Sequence, residues 1–139
     1  MQLAKRSYTE VTDKLMQVGL RPTRQRILLG ALLWSRGCRH VTAESLHSEA
    51  KQAEIKVSLA TIYNTLHQFT SAGLLREIQI EGGRSYFDTN ITSHHHFFHE
   101  DTGMLEDIPA GSVSVVGIPK PPYGTSIRDV DVIVRVRAS

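Results

Sequence analysis

The chain has 139 residues, of which 40% are hydrophobic and 22% are charged, with a formal net charge of +2. That length can bury a core in one domain or two small ones, and no apolar run approaches the roughly 20 residues that span a bilayer. Residues 1–10 lack the apolar stretch of a signal peptide, and the single cysteine, Cys38, excludes an intramolecular disulfide and a structural zinc site of four cysteines. We therefore expect a cytoplasmic protein without a membrane partner.

The charge is unevenly distributed along the chain. Residues 1–92 contain 12 Lys and Arg against 8 Asp and Glu, a net charge of +4, whereas residues 93–139 contain 4 against 6, a net charge of −2. A basic half suits a phosphate backbone and an acidic half suits a cation. Because a difference of this size also arises from ordinary surface variation, it only adds to the motifs described below.

Apolar spacing predicts two helices near the start of the chain. Val11, Leu15 and Val18 mark the first, which ends near Gly19. Pro22 suits the first turn of the second helix, because proline lacks the N–H that this turn leaves unpaired. The predicted inner face of the second helix is Ile27, Leu28, Ala31 and Leu32.

Two further helices follow after a loop around Cys38. Thr42 is a predicted N-cap without a full capping box, since Ser45 rather than Glu stands three residues later. Ser58 caps the fourth helix, which ends at residues 72–73 (Ala-Gly). Apolar residues recur along this helix at three- and four-residue spacing, at Leu59, Ile62, Leu66 and Phe69.

A hairpin is predicted after the fourth helix, with strands at 75–80 and 84–87 joined by a two-residue turn, Gly82-Gly83. A Gly-Gly pair between alternating apolar segments is typical of a type I′ turn. A winged helix-turn-helix domain has this order of elements, helices followed by a two-stranded wing. Residues 89–93 are small, polar or uncharged, and we interpret them as a hinge.

The C-terminal part contains three further segments. Residues 94–100 and 104–108 are predicted strands around the turn at 101–103, whereas 113–118 is ambiguous between helix and strand and is ended by the prolines that follow. Residues 130–136 alternate valine with polar side chains and predict a half-buried strand. We expect its valine row to pair or pack across a dimer interface.

The outer face of the predicted fourth helix carries small and polar side chains. Methyl groups of Ala60 and Thr61 can meet thymine methyls, and Asn64 can pair with adenine. Tyr63 can reach either a phosphate or a base. Any one of these residues, taken alone, is more typical of a solvated helix face, and it is the whole arrangement of helices and basic wing that favours DNA binding.

Basic residues cluster at the start of the second helix. There, Arg side chains and a helix N-terminus can anchor backbone phosphates, and an arginine at the wing tip can contact a phosphate or the minor groove. The residues predicted to bind DNA are Arg21, Thr23, Arg24, Arg26, Ala60, Thr61, Tyr63, Asn64 and Arg84.

Three consecutive histidines, His94-His95-His96, follow the predicted hinge. On a strand, His94 and His96 share one face and His95 takes the other. Partners within reach are His40, Asp88, Glu106 and Asp107. Imidazoles combined with carboxylates suit Fe(II), Mn(II) or Zn(II), whereas the same run with Phe97 and Phe98 as apolar walls also suits haem iron.

These motifs together resemble the ferric uptake regulator superfamily over nearly the whole chain. The resemblance is closest to the iron response regulator branch of alphaproteobacteria, which has three histidines followed by an aromatic pair and an Asp-Thr-Gly-like turn in place of zinc-binding cysteines. The segments that carry it are 19–26 (GLRPTRQR), 40–44 (HVTAE), 58–66 (SLATIYNTL), 82–88 (GGRSYFD) and 94–96 (HHH).

The resemblance implies an α+β fold with an N-terminal winged helix-turn-helix domain at 1–88, a hinge at 89–93, and a small C-terminal α/β dimerisation and ligand-sensing domain at 94–139. It implies that Tyr63 and Asn64 meet DNA and that Arg21 reaches the minor groove. The implied haem-responsive motif is His94, His95 and His96. The implied regulatory metal site is His40, Asp88, His94, His96 and Asp107.

The implied function is that of a dimeric transcription regulator of iron and haem metabolism genes. By this resemblance we expect it to bind double-stranded DNA at a palindromic AT-rich operator when iron is scarce, and to be released by haem at the histidine cluster. The implied cofactors are haem and/or a divalent ion (Fe, Mn or Zn), and the implied partners are a second copy of the chain and a haem-delivering protein.

Two alternatives remain open from the sequence. A regulator of the same fold can instead be a repressor activated by Fe, Mn or Zn, or a peroxide sensor in which iron oxidises a ligating histidine. A small metallohydrolase using the histidines is the third interpretation, but no general base stands at a catalytic spacing. We therefore expect no enzyme activity and assign no catalytic residues.

Overall fold

A computed structural model describes the backbone of residues 5–80 and 82–139, and the side chains of 7–80 and 82–139. The chain divides into two compact units, Met1–Ile91 and Thr92–Ser139. Their boundary falls between two residues of the segment interpreted as a hinge. No helix within the described ranges is long and apolar enough to cross a membrane.

The first unit contains four helices and a small antiparallel sheet. In the sheet, the central strand pairs with a two-residue strand on one side and with its hairpin partner on the other, in the order β1-β3-β2. The elements are α1 Lys5–Gln17, α2 Arg24–Trp34, β1 His40–Val41, α3 Ala43–Gln52, α4 Leu59–Ser71, β2 Arg76–Ile80 and β3 Arg84–Asp88. Helices followed by a two-stranded wing confirm the predicted order of the winged helix-turn-helix.

Side-chain caps set the starts of three helices. The hydroxyl oxygen of Thr23 accepts a hydrogen bond from the backbone N–H of Arg26, so α2 begins after Thr23 and Pro22 precedes the helix instead of lying in its first turn. Ser58 caps α4 in the same way, as predicted. The prediction for α3 was wrong in one respect, because the Ser45 hydroxyl accepts from the Thr42 N–H and completes a reciprocal capping box.

The core of the first unit is formed by all four helices together with Val41 of β1 and Phe87 of β3. Val11 and Leu15 of α1 are buried as predicted, whereas Val18 lies beyond the helix and is 37% exposed. In α2 every residue from 29 to 33 is buried, so its contact surface is broader than the predicted stripe, and Ile27 and Leu28 are only half-buried at its edge. Ile62, Leu66 and Phe69 of α4 are fully buried, which confirms their predicted face.

The wing differs slightly from its prediction. The strands pair so that Ile80 lies opposite Arg84, which leaves three connecting residues rather than two. Gly82 and Gly83 have φ angles of +85° and +79°, the left-handed values that a primed turn requires and that glycine adopts without steric cost. Glu81 lies outside the described residues.

The second unit contains a three-stranded sheet in the order β5-β4-β6. Its strands are β4 His96–His99, β5 Met104–Asp107 and β6 Ile133–Val136, with β4 antiparallel to β5 and parallel to β6. Residues 113–118, the ambiguous segment, form neither helix nor strand. The predicted strand at 130–136 is shorter than expected, since Val130 and Val132 precede it. The fold class is α+β, as predicted.

Candidate functional site

The histidine run lies where β4 begins, beside β5 of the same sheet. His96 and Asp107 are directly paired across the two strands, and His94 precedes the strand by two residues. The Nε2 atoms of His94 and His96 lie 3.1 and 3.3 Å from the same Asp107 carboxylate oxygen, Oδ1. The two imidazole rings are 4.5 Å apart, and the His96 side chain is fully buried. Three donor atoms thus converge on one point within the second unit.

The hydrogen bonding of His94 determines which of its nitrogens can offer a lone pair to a metal ion. Its Nδ1 lies 2.6 Å from the Thr92 carbonyl oxygen, which can only accept, so Nδ1 carries the proton and donates it. In the neutral ring, Nε2 then offers a lone pair directly towards the Asp107 oxygen. Two lone pairs face each other there unless a proton or a cation lies between them. Metal-binding histidines are held in the same way, with the second ring nitrogen donating to a carbonyl.

The distances within this group are those of ligands around one ion. Metal–nitrogen and metal–oxygen bonds of about 2.1 Å place neighbouring ligands about 3.0 to 3.4 Å apart in octahedral and tetrahedral geometries. The two measured separations fall in that interval, and the donor atoms of His94, His96 and Asp107 all lie within 4.8 Å of one another. The group therefore fits a divalent metal ion.

The first unit holds a second histidine–carboxylate pair. His40 in β1 and Asp88 in β3 are register partners, and His40 Nε2 lies 3.0 Å from Asp88 Oδ2. The Asp88 side chain is 1% exposed, and its other oxygen accepts a hydrogen bond from the Asn90 backbone N–H. A carboxylate so deeply buried needs a partner of opposite charge or several donors. His40 and Asp88, which were predicted as metal ligands, are thus brought together.

His95 points away from its two neighbours, as strand alternation predicts. Its Nδ1 accepts a hydrogen bond of 3.0 Å from the Val132 backbone N–H. In the neutral ring the proton therefore lies on Nε2, so neither nitrogen of His95 can offer a lone pair to a metal. Of the two predicted apolar walls for haem, Phe98 is buried in the second unit with the Arg135 guanidinium over its ring, and Phe97 is half-buried.

His99 and Glu106 form a separate pair on the same sheet. His99 Nε2 lies 3.2 Å from Glu106 Oε1, at the other end of β4 and on the face opposite that of His96 and Asp107. Glu106 was one of the carboxylates within predicted reach of the histidine run, and it is engaged with His99 instead. The structure thus separates Asp107, which joins His94 and His96, from Glu106.

The predicted DNA-binding residues of α4 lie on one accessible side of that helix. Ala60 and Asn64 are exposed, whereas Thr61 and Tyr63 are half-buried. The Tyr63 hydroxyl donates a 2.8 Å hydrogen bond to Glu44 Oε1 at the start of α3, and this bond raises the pKa of Tyr63 above its ordinary value of 10.0. Partial burial and repulsion by the Glu44 carboxylate raise that pKa further.

The predicted basic residues differ in how firmly they are held. The Arg26 guanidinium donates to the Gln68 side-chain oxygen and to the Arg21 carbonyl oxygen, which links the start of α2 to α4. Arg21, Thr23 and Arg24 are exposed at this corner, and Arg84 is exposed at the tip of the wing.

Sequence reasoning missed three residues on this surface. Glu44 accepts a hydrogen bond from the Tyr63 hydroxyl, and Gln68 accepts one from the Arg26 guanidinium. Lys56 and Arg24 line one groove near the N-terminal ends of α2 and α4. Lys56 lies two residues before the Ser58 cap of α4. Nothing local predicts the Glu44 and Gln68 contacts, because their partners lie 19 and 42 residues away.

Comparison with known proteins identifies the class to which this fold and site correspond. The profile of the Ferric uptake regulator family matches residues 17–132. The chain is 34% identical over 106 residues to the ferric uptake regulation protein of Shigella flexneri, covering 76% of this chain and 72% of that protein. It is 35% identical over 82 residues to the Vibrio cholerae protein, where the match spans 59% of this chain and 54%, about half, of the relative's length.

A solved structure extends the similarity to both units. The ferric uptake regulator from Pseudomonas aeruginosa with manganese superposes with a TM-score of 0.68 at 25% identity, covering 92% of this chain and 97% of that one. The chain belongs to the ferric uptake regulator family.

Proposed function

We propose that this protein is a homodimeric DNA-binding transcription regulator that responds to a divalent metal ion. The sensing ligands are His94, His96 and Asp107 of the second unit together with His40 and Asp88 of the first. The observation that carries the proposal is the shared Asp107 oxygen, towards which the Nε2 atoms of both His94 and His96 point. Membership of the ferric uptake regulator family supports the assignment.

The donor set favours an ion of intermediate hardness. Imidazole nitrogens with carboxylate oxygens suit Fe(II), Mn(II) and Zn(II), and a divalent ion supplies the positive charge that this set of lone pairs needs. The Thr92 carbonyl keeps His94 in the tautomer that leaves Nε2 available. The related regulator from Pseudomonas aeruginosa is described with manganese, which supports an ion of this kind.

The proposed ligands lie on both sides of the predicted hinge at 89–93. Asp88 and His94 are six residues apart, a segment that spans at most about 20 Å when extended. Ligands from both units that hold one ion favour a single arrangement of those units. Two recognition helices dock together only when they are spaced by about one turn of DNA, roughly 34 Å. Metal binding can therefore raise operator affinity to the extent that the bound arrangement is the better-spaced one.

The proposed DNA surface combines base-reading and phosphate-binding groups. α4 offers Ala60, Thr61 and Asn64 for base edges, while Arg21 and Arg24 at the start of α2 are exposed for phosphates. A net charge of +4 over residues 1–92 favours the approach of a polyanion.

The proposed dimer interface lies on the second unit. This unit exposes several large apolar side chains for its size, and exposed apolar patches on small domains mark interaction surfaces. A second copy of the chain is the proposed occupant, because a two-fold dimer also matches a palindromic operator. The exposed side chains are Val115, Val116, Ile118, Tyr123, Ile127 and Val134.

Release from DNA by haem, the function implied by resemblance to the iron response regulator branch, is the alternative. It uses His94, His95 and His96, as well as a haem-delivering partner. Ligation of iron by His95 would require that ring to lose its Nε2 proton or to give up the Val132 N–H. The hydrogen bonding therefore favours the bare metal ion over haem, while the histidine motif itself supports haem.

Operator binding under different ligands tests the proposal. A duplex selected from random sequences by the purified protein serves as the operator, and its affinity is measured with a chelator, with Mn(II), Fe(II) or Zn(II), and with haemin. We expect at least tenfold tighter binding with one of the metals, and loss of this gain in His96→Ala but not in the matched control His99→Ala. Binding that is unaffected by every metal and abolished by haemin would instead establish the haem-released regulator.

A further inference from the structure

We infer that Glu44 is a positioning residue for sequence recognition, which holds the Tyr63 proton and so makes Tyr63 a reader of bases instead of a phosphate anchor. The inference rests on the proposed DNA-binding function of α4. Tyr63 lies in the first half of that helix, and its hydroxyl donates to Glu44 Oε1 at 2.8 Å. Glu44 stands in the first turn of α3, where a negative charge is favourable near the helix N-terminus.

The direction of this hydrogen bond restricts what Tyr63 can contact. A phenol has one proton to donate and two lone pairs to accept with, whereas a carboxylate oxygen only accepts. With its proton engaged by Glu44, the Tyr63 oxygen is left as an acceptor. Phosphate oxygens are acceptors as well, so a phosphate contact would require the Glu44 bond to break. The amino groups of adenine and cytosine are donors in the major groove and match the remaining lone pair.

The bond to Glu44 is of the stronger type. Hydrogen bonds to an ionised acceptor are shorter and about twice as strong as neutral ones. This bond is also the first cause of the raised pKa of Tyr63. Exchange of this bond for a phosphate contact would bring a second negative group beside the Glu44 carboxylate, which like-charge repulsion opposes.

The Tyr63 ring is also held on its other side. Its centroid lies 6.2 Å from that of His67, which in turn lies 5.7 Å from Phe87 of β3. Phe87 is fully buried, so this series of tilted ring contacts ends in the core of the first unit. A ring held at its hydroxyl and against a neighbouring side chain loses little conformational freedom when it meets DNA. Glu44 and His67 thus orient Tyr63 before binding.

Glu44 also weakens contacts that do not depend on sequence. Its carboxylate is exposed beside Tyr63 on the proposed DNA surface, and a negative charge there opposes the DNA backbone. Glu44 both orients the Tyr63 hydroxyl towards bases and repels phosphate, so it raises the ratio of specific to non-specific DNA affinity. This effect on specificity separates a positioning role from a purely structural one.

Three substitutions and their combination test the inference. Tyr63→Phe removes the hydroxyl, Glu44→Ala removes the acceptor and the charge, and Glu44→Gln keeps an acceptor oxygen without the charge. Affinities for the selected operator and for a scrambled duplex are measured at equal salt with the activating metal. Far-UV circular dichroism and thermal unfolding check that each variant folds.

We expect Tyr63→Phe and Glu44→Ala each to lower the ratio of operator to scrambled affinity about tenfold, the effect of one hydrogen bond of about 1.4 kcal/mol. The double variant Tyr63→Phe/Glu44→Ala should lower this ratio no further than Tyr63→Phe alone, because both changes break the same hydrogen bond. Glu44→Gln should bind the scrambled duplex more tightly than the unsubstituted protein does, because the negative charge is gone. Its ratio of operator to scrambled affinity should still be higher than that of Glu44→Ala, because the amide oxygen can accept the Tyr63 hydrogen bond.

Two results overturn the inference. Equal weakening of operator and scrambled duplex by Tyr63→Phe would make Tyr63 a phosphate anchor. Identical ratios in Glu44→Ala and Glu44→Gln would show that the accepting oxygen has no role. If Glu44→Ala fails to fold, Tyr63→Phe decides by the first criterion, and an operator-to-scrambled ratio in Glu44→Gln no higher than in Tyr63→Phe takes the place of the second. Failure of the unsubstituted protein to bind any duplex is a different outcome, which refutes the proposed function itself.

Discussion

The imidazole of His95 accepts a hydrogen bond at Nδ1 from the backbone N–H of Val132, 37 residues away, at 3.0 Å. The Val132 carbonyl oxygen in turn accepts from the His96 backbone N–H at 3.1 Å. Val132 precedes β6, so these two bonds fix where that strand begins beside β4. The three adjacent histidines therefore have two different roles. His95 connects the start of β4 to the residue before β6, whereas His94 and His96 face Asp107.

Replacement of His95 should affect stability more than metal binding. In His95→Ala the Val132 N–H loses its acceptor, and we expect the free energy of unfolding to fall by about 1 to 3 kcal/mol. Metal affinity should change less than threefold. Denaturant unfolding and calorimetric titration with Mn(II) measure the two quantities. A large loss of metal affinity without loss of stability would show that His95 is itself a ligand.

Replacement of His96 should have the opposite pattern. His96→Ala removes a buried donor nitrogen from the group around Asp107, and we expect metal affinity to fall at least 100-fold, as is typical for loss of a ligand or its close support. His99→Ala is the matched control, since His99 lies on the same strand but pairs with Glu106. If both variants bind metal as tightly as the unsubstituted protein, the ligand assignment is wrong.

The Tyr63 hydroxyl should titrate above the ordinary tyrosine range. The Glu44 hydrogen bond raises its pKa above 10.0, so the stabilisation from this pair is fully present below that pH and is lost as the pH rises through the elevated value. Phenolate absorbance of the folded protein, with the Tyr63→Phe curve subtracted, gives this pKa directly. Removal of the acceptor in Glu44→Ala should bring it down, whereas an unchanged value would contradict the hydrogen bond.

Arg21 should contribute to DNA binding through charge alone. Its side chain is exposed, and its carbonyl oxygen accepts from Arg26, which orients this corner of the first unit. Arg21→Ala should weaken operator and scrambled duplexes equally and reduce the slope of log affinity against log salt by about 0.9. Arg137→Ala, an exposed arginine of the second unit, is the control and should leave that slope unchanged.

Gly30 marks a close approach of α1 to α2. A Cβ atom at this position would lie 2.6 Å from Trp34 Cζ3 and 2.7 Å from Val11 Cγ1, distances at which something must shift. Gly30→Ala should therefore lower the free energy of unfolding by about 1 to 3 kcal/mol despite alanine's better helix propensity. Ser48→Ala, at an exposed position of α3, controls for propensity, and thermal unfolding distinguishes the two.

Local features of the fold were largely predictable from the residues. Ser58 and Thr42 start helices because their hydroxyls accept from N–H groups three residues later, and this depends only on neighbours in the chain. The apolar period of α4 and the paired glycines of the wing are local in the same sense. Strand alternation, which is equally local, predicts that His95 lies on the face opposite His94 and His96.

Contacts between distant segments could not be predicted in this way. The broad buried surface of α2 depends on which helices cover it, so Leu29 and Leu33 were not distinguished from their neighbours. The Glu44–Tyr63 bond and the His95–Val132 bond join residues 19 and 37 positions apart. From spacing alone both Glu106 and Asp107 were within reach of the histidines, and only the resemblance singled out Asp107. A shift of one residue in register would exchange the two faces of the strand, so the pairing of β4 with β5 decides that Asp107 lies beside His96 and that Glu106 lies on the other face.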